Sequence, residues 1–312
     1  MTTTLDDQVD TTDYSARLRE LCVGCRLSKA RWGVSKVLEK DQKELAAFPF
    51  GAVAKSISAS KKLIDTASKR YRAVTKVFSQ VTEYWESHTL PFPEKSLRLL
   101  RREQVEEFEQ QIASYQSELD GAVALLQREY GELLSKAQQD LGSLFNVSDY
   151  PSTLEGLYSI IVEYPSVEPD PSLVTISASL YQRERQRIAA RFDEAVEMAE
   201  EAFAAEFQGL VQHLSERLQG LNDGTVKRFS DSNITNLCEF FDRFKSLSIG
   251  SNGDLDQLVS EAKDAVKGIS PDWLKQSEPL RDSIREKLGT IGQQLDELMV
   301  ARPKRAISFD DE

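Results

Sequence analysis

Two cysteines three residues apart are the first feature of the chain whose type and spacing could support chemistry. Cys22 and Cys25 enclose Val23 and Gly24, a spacing that redox-active dithiols and pairs of zinc ligands both use. The residues before Cys22 predict a helix, whereas a reactive thiol of this kind sits at the start of a helix. A zinc site needs four ligands, and no second pair follows. We interpret the two residues as structural thiols, with a redox-sensitive pair and a shared intermolecular metal site as alternatives.

No other pattern in the sequence is typical of catalysis or of cofactor binding. There is no glycine-rich phosphate loop of the Walker or Rossmann type, no HExxH and no GxSxG. Consecutive glutamates such as Glu200 and Glu201 diverge on a helix and do not converge on one substrate atom. We therefore expect no catalytic residue, no cofactor and no metal site, and we predict that the protein is not an enzyme.

Positive charge is concentrated in residues 26–76, which carry 13 basic and four acidic residues, a net charge of +9 in a chain of −12. Four lysines recur here every seven residues on a predicted helix, with an arginine beside them: Lys55, Lys62, Lys69, Arg72 and Lys76. The simplest interpretation is a solvated helix face. A docking site for an acidic protein is one alternative. A stripe that follows nucleic-acid phosphates is the other, although no aromatic residues for base stacking alternate with the lysines.

Long helices are expected to carry these residues, because 10 prolines and 15 glycines in 312 residues are too few for a turn-rich sandwich or barrel. Apolar residues recur in steps of three and four from Val53 to Trp85, which predicts a helix packed along its length against another. We predict three long helices, at residues 53–87, 94–141 and 179–221. The prolines after the first should fold the first two into an antiparallel hairpin.

The remaining segments complete the predicted architecture. Residues 142–178 are interrupted by prolines, which predicts a small β-hairpin or irregular cap. Shorter helices are expected over residues 225–300, a disordered leader over 1–13 and a disordered tail over 301–312. We therefore predict an all-α protein with one helical domain at 14–300. Its form would be an elongated antiparallel helical bundle or coiled-coil stalk.

The cellular setting is inferred from what the sequence lacks. No stretch of about 18 apolar residues is present, and the first residues do not have the pattern of a signal peptide. Three cysteines cannot all pair within one chain, which favours a reducing compartment. We expect a cytoplasmic protein that does not bind membranes.

Two motifs resemble the signature of a known family. The first is Trp85-Glu86-Ser87-His88-Thr89-Leu90-Pro91-Phe92, which is followed by Leu99-Leu100. The second joins Leu141-Gly142-Ser143-Leu144-Phe145 to Asp149-Tyr150-Pro151. Over roughly residues 70–180 the chain is thus similar to domain of unknown function family 3150, an uncharacterised bacterial and phage family. The resemblance transfers no catalytic residue. It implies a phage or mobile-element origin, and association with a MoxR-type AAA+ ATPase and a von Willebrand A-type protein.

These observations favour a non-catalytic scaffold or adaptor that acts through protein partners in the host cytoplasm. An AAA+ ATPase is the partner that the resemblance implies. The alternative is a nucleic-acid-binding protein that uses the basic segment 26–76.

Overall fold

The computed structural model describes residues 11–219 and 232–300, which form two compact units. The central unit comprises Cys25–Ser87 and Glu103–Pro165. The terminal unit comprises Met1–Gly24, His88–Arg102 and Ser166–Glu312. The single helical domain predicted at 14–300 thus corresponds to two units, each assembled from stretches that are distant in sequence.

The helices and strands have the following bounds. The described helices are α1 (Thr11–Leu21), α2 (Lys40–Ala47), α3 (Lys69–His88), α4 (Val105–Leu141), α5 (Leu173–Ile176), α6 (Ala178–Leu218), α7 (Ser232–Leu247), α8 (Gly253–Val266), α9 (Pro271–Gln276) and α10 (Glu278–Val300). The described strands are β1 (Cys22–Ala30), β2 (Ser35–Val37), β3 (Ser60–Lys62), β4 (Leu90–Pro91), β5 (Arg98–Arg101) and β6 (Ser159–Glu163). Among these helices, none is long and apolar enough to cross a membrane.

The prediction of an all-α fold is wrong, because the chain also forms two β-sheets. Four strands follow the order β4-β5-β1-β6 in one sheet, and β2 pairs with β3 in the other. In β1, Cys25 and Leu27 are buried whereas Arg26 and Ser28 are half-buried, which is the two-residue period of a strand. Helix α1 therefore ends at Leu21, before the cysteine pair. The fold is mixed α and β.

The predicted stalk of three long helices is not contained in either unit. Helices α3 and α4 belong to the central unit, whereas α6 belongs to the terminal unit. The bounds of α6 agree with the predicted helix 179–221 as far as the described residues reach. The predicted disordered leader extends to residue 13, whereas helix α1 already begins at Thr11. Residues 1–10 of the predicted leader, the last two residues of the predicted helix 179–221 and the predicted tail 301–312 lie outside the described residues.

Helix α3 begins at Lys69 and not at residue 53, because Ser68 caps it. The Ser68 hydroxyl accepts a hydrogen bond from the Tyr71 N–H at 3.1 Å, and the Ser68 carbonyl accepts one from the Arg72 N–H at 3.0 Å. A serine in this position satisfies a backbone donor that the first turn of a helix leaves unpaired. The residues before Ser68 have helical apolar spacing, yet they form a 3-10 turn, β3 and connecting loops.

Helices α3 and α4 pack antiparallel, as the sequence predicted. Arg70, near the start of α3, pairs with Glu129, in the C-terminal half of α4, at 2.6 Å. Tyr84, near the end of α3, stacks on Phe108, near the start of α4, with ring centroids 5.3 Å apart. The predicted apolar positions of α3 are buried between Tyr71 and Trp85. A long amphipathic helix therefore buries its apolar side as its period predicts.

The start of α4 and the predicted cap both contain strands. Helix α4 begins at Val105 and not at residue 94, because β5 occupies Arg98–Arg101 and pairs with β4. Within the predicted cap 142–178, β6 pairs antiparallel with β1, and Arg26 lies opposite Glu163. The cap therefore supplies a strand to the larger sheet instead of forming its own hairpin. Its second apolar run forms the short helix α5.

The terminal unit is built around phenylalanine side chains from α6 and α7. Phe207 stacks on Phe240 with centroids 5.2 Å apart, and Phe203 meets Phe244 edge-on at 5.1 Å. Such pairs contribute about 0.5–1.5 kcal/mol beyond the area that they bury. Helices α1, α8 and α10 complete this core.

Candidate functional site

The two-stranded sheet of the central unit places two lysines directly opposite each other. Strands β2 and β3 pair antiparallel with Lys36 opposite Lys61. The ladder continues where the Leu38 N–H donates to the Ala59 carbonyl at 3.1 Å. Like charges that face each other across a strand pair destabilise it. This ribbon of β2 and β3 therefore needs a negative charge beside the two lysines.

Asp149 supplies that charge from the turn that follows α4. Its side chain is 1% exposed, forms an ion pair with Lys36, and lies 2.7 Å from the Lys61 ammonium. The Lys61 side chain is 5% exposed and also donates to the Leu144 carbonyl at 2.6 Å. A buried charge is tolerated when it is paired and hydrogen-bonded in this way. The hydrogen bond from Lys36 and the positive charge of Lys61 hold the pKa of Asp149 below its ordinary value.

Aromatic side chains support the same turn. Tyr150 stacks on Phe145 with centroids 5.0 Å apart, and its hydroxyl donates to the Leu63 carbonyl at 2.9 Å. Trp32, just before β2, lies against Tyr150 with centroids 6.2 Å apart. The base of the ribbon is therefore held by packing and hydrogen bonds as well as by charge.

Between β2 and β3 the chain makes an excursion of residues 38–59, which contains α2. The 3-10 turn Phe48–Phe50, which follows this helix, closes as a Schellman motif at Gly51, whose φ is +60°. The Ala52 N–H donates to the Ala47 carbonyl at 3.3 Å, and the Gly51 N–H donates to the Phe48 carbonyl at 3.1 Å. Glycine adopts this left-handed conformation without the steric cost of a side chain. The turn therefore has a defined geometry.

The excursion exposes four large apolar side chains, which we call the apolar tip. Phe48 and Phe50 are each 83% exposed, Leu45 is 76% exposed, and Val53 is 59% exposed. Leu45 and Phe48 lie three positions apart and therefore share one helix face. Single exposed apolar residues are normal, whereas four large ones within nine residues of the chain are unusual and suggest an interaction site.

Charge is balanced around the apolar tip. From residue 39 to residue 55 the chain carries three acidic and three basic side chains. Lys40 and Glu44 lie one turn apart, with their charged atoms at 3.9 Å. A segment without net charge exerts little long-range attraction on phosphate groups. The excursion is therefore better suited to apolar contacts than to binding a polyanion.

The structure separates the five basic residues that the sequence placed on one helix. Lys55 lies in a 3-10 turn of the excursion, and Lys62 lies on β3. Only Lys69, Arg72 and Lys76 belong to α3, where they share one exposed face. Within the described ranges, none of these three side chains forms an ion pair. The predicted stripe of lysines along a single helix is therefore not formed.

The cysteine pair lies on a strand, where its geometry does not suit disulfide chemistry. Cys22 and Cys25 are 2% and 0% exposed, and both belong to β1. Residues three positions apart on a strand point to opposite faces and are separated by about 10 Å. A disulfide needs Cα atoms within about 7 Å. In the part of the chain that the structure describes, no group of three or more His, Cys, Asp or Glu residues could hold a metal ion.

The two motifs that resemble the known family occupy structural positions. Thr89 is 2% exposed, and its hydroxyl accepts a hydrogen bond from the Arg98 Nε at 2.7 Å. Leu90 and Phe92 beside it are buried in the core of the terminal unit. The first motif thus fixes the β4–β5 hairpin. The second motif contributes Asp149 to the base of the ribbon.

The sequence alone did not identify the phenylalanines of the tip as functional residues. In the structure the two phenylalanines lie in the 3-10 turn Phe48–Phe50, which ends at Gly51. The sequence signal that could have identified Phe48 and Phe50 is their residue type, phenylalanine, within a turn. Proline and glycine suffice to end a helix. Two phenylalanines in such a turn must therefore be explained by something other than the turn.

The chain thus forms a mixed α/β protein, and its apolar tip is carried by the two-stranded ribbon of β2 and β3. Comparisons with family models, with curated proteins and with solved structures found no match to this chain.

Proposed function

We propose that this chain is a non-catalytic adaptor that binds a partner protein through the apolar tip. The observation that carries the proposal is the 83% exposure of both Phe48 and Phe50 on a turn of defined geometry. Aromatic anchors dominate the energetics of many interfaces, and preorganisation lowers the entropy lost on binding. Burying one such side chain contributes about 1.5–3 kcal/mol.

The partner that fits the apolar tip is a folded protein with an apolar pocket. A membrane surface fits less well, because peripheral binding to anionic lipid relies on basic residues, whereas the excursion is charge-balanced. The resemblance to family 3150 implies a MoxR-type AAA+ ATPase and a von Willebrand A-type protein. We propose these as the first partners to test, with the cytoplasm as the place where they meet.

Site-specific photo-crosslinking tests this proposal. Phe48 is replaced by benzoylphenylalanine in the full chain, and the matched control carries the same group in place of Trp273, an exposed aromatic residue of α9. We expect one partner protein to be crosslinked from position 48 and not from position 273. That protein, once purified, should bind the unmodified chain. Equal labelling from both positions, labelling of lipid, or a product made only of a second copy would contradict the proposal.

Nucleic-acid binding is the second candidate, because Lys69, Arg72 and Lys76 present three cations on one face of α3. We predict that the wild type gives no gel shift with duplex DNA or RNA at micromolar protein and physiological salt. The reasons are the net charge of −12 and the short basic face, which spans about 10.5 Å. The variant Lys69→Glu/Arg72→Glu/Lys76→Glu should keep its fold, because exposed charges contribute little to stability.

A salt series decides between the two functions. Binding to duplex phosphates would weaken by roughly 0.9 log units per log unit of salt for each phosphate neutralised. A gel shift with such a slope that is lost in the triple variant would support the nucleic-acid function.

A further inference from the structure

The terminal unit contains an open cleft among α1, α7 and α8. Its volume is about 440 Å³, which lies within the range of about 300–1,000 Å³ for small-molecule sites. The floor is apolar and belongs to the core, since each of its four main residues is at least nine-tenths buried: Phe241, Phe244, Ile249 and Val259. The cleft is therefore an opening above buried apolar side chains, whose exposed edges line it.

Three cations from three different helices line the same cleft. They are Arg17 of α1, Lys245 of α7 and Lys263 of α8, and all three residues are exposed. None of them forms an ion pair with any described residue. Their shared position in one cleft is a grouping of positive charge in a chain whose net charge is −12. It creates a local positive potential above an apolar floor.

One acidic residue, Asp256, also lines the cleft. Burial raises the pKa of Asp256, whose carboxylate lies 3.4 Å from the Ser248 hydroxyl. Three cations therefore outweigh one carboxyl group at this position.

We propose that this cleft binds a small organic anion, with its anionic group at Arg17, Lys245 and Lys263 and its apolar group on the phenylalanine floor. An inorganic anion would leave the floor unused, and a neutral apolar compound would leave the three cations unused. The shared chemistry of the ligand is thus one sulfonate, phosphate or carboxylate group joined to an apolar body of moderate size. The proposal does not depend on the apolar tip, which lies in the central unit.

A pair of fluorescent probes tests the requirement for both groups. 1-Anilinonaphthalene-8-sulfonate carries an anionic group on an apolar body, and N-phenyl-1-naphthylamine is nearly the same body without the charge. We expect one sulfonate probe to bind per chain, with an affinity about tenfold or more above that of the neutral probe. Raising the salt concentration should lower the affinity of the sulfonate probe but not that of the neutral probe.

Variants locate the bound probe. Lys245→Gln/Lys263→Gln should lower the affinity for the sulfonate probe about tenfold and leave the affinity for the neutral probe unchanged. The control Lys267→Gln/Lys287→Gln removes two exposed lysines that do not line the cleft and should leave the affinity unchanged. Ser260→Trp places a large side chain at the wall and should abolish binding, which provides a second test if the lysine variant does not fold.

A further variant separates this cleft from the apolar tip. Phe48→Ala/Phe50→Ala should retain full binding of the sulfonate probe. Loss of binding in that variant alone would place the probe at the tip and overturn the proposal. Equal affinity for the neutral probe, or unchanged affinity in both Lys245→Gln/Lys263→Gln and Ser260→Trp, would overturn it as well.

Discussion

Replacing Phe48 and Phe50 together by alanine is expected to weaken partner binding about 1,000-fold while the melting temperature stays the same. Each phenylalanine that enters an apolar pocket contributes about 2 kcal/mol to binding, and about 4 kcal/mol corresponds to three orders of magnitude in Kd. Stability should not change, because both side chains are 83% exposed in the folded chain. The measurement is titration calorimetry with the crosslinked partner, together with a thermal melt of each variant.

The matched control for this prediction is Trp273→Ala, which removes an exposed aromatic side chain from α9. It should leave the partner affinity within a factor of about two of the wild type. An affinity that falls equally in both variants would show that exposed aromatic area in general, and not the apolar tip, is recognised. An unchanged affinity in the double variant would remove the basis for the adaptor function.

The apolar period predicted the long helices well because their packing is regular along many turns. Tyr71, Val74, Phe78, Val81 and Trp85 were all assigned to the buried side of α3, and all are buried. The same period misled at its start, since Val53 was assigned to the buried side and is 59% exposed. A run of apolar residues spaced by three and four can arise by chance over a few positions. The cap at Ser68 marks where the pattern becomes a helix.

Most strands could not be predicted, because their partners are distant in sequence and β2 to β5 are short, whereas β6 lies in the cap where a hairpin was one expectation. β2 and β3 have three residues each, so neither shows a clear two-residue period. Arg26 pairs with Glu163, a contact that no local pattern can encode. The same limit applies to Lys61 in the candidate site. The charge pattern of residues 26–76 favoured a solvated surface, whereas Lys61 is buried against Asp149. Only the tertiary pairing of β2, β3 and the turn after α4 explains that position.

The variant Asp149→Ala is expected to destabilise the central unit by about 3 kcal/mol. The carboxylate is the acidic partner of both Lys36 and Lys61, which face each other across the ribbon. Without it, the buried Lys61 ammonium keeps only the Leu144 carbonyl and faces a second positive charge. Removing one partner of a buried pair has this large effect because the remaining charge stays desolvated. Urea unfolding of the full chain, followed by amide exchange at β2 and β3, measures the change.

Two further variants test whether the buried charge is the cause. Asp65→Ala removes a carboxylate whose pair with Lys136 is partly exposed, and it should have a much smaller effect. Adding Lys61→Met to Asp149→Ala should recover part of the lost stability, because the unpaired ammonium is removed and its volume is filled. If the second substitution lowers stability further, the loss in Asp149→Ala arises from packing around Tyr150 and not from charge.

The pH dependence of a different variant, Asp149→Asn, gives the sign of the electrostatic contribution. The hydrogen bond from Lys36 and the positive charge of Lys61 lower the pKa of Asp149 in the folded chain, so folding favours its ionised form. Such a group adds stability that is complete above its unfolded pKa, about 3.9, and is lost as the pH falls through the lower folded value. The stability difference between wild type and Asp149→Asn should therefore be largest near neutral pH and shrink below about pH 4. A difference that stays constant through this range would show that the carboxylate charge does not hold the ribbon, and the apolar tip would then need another anchor.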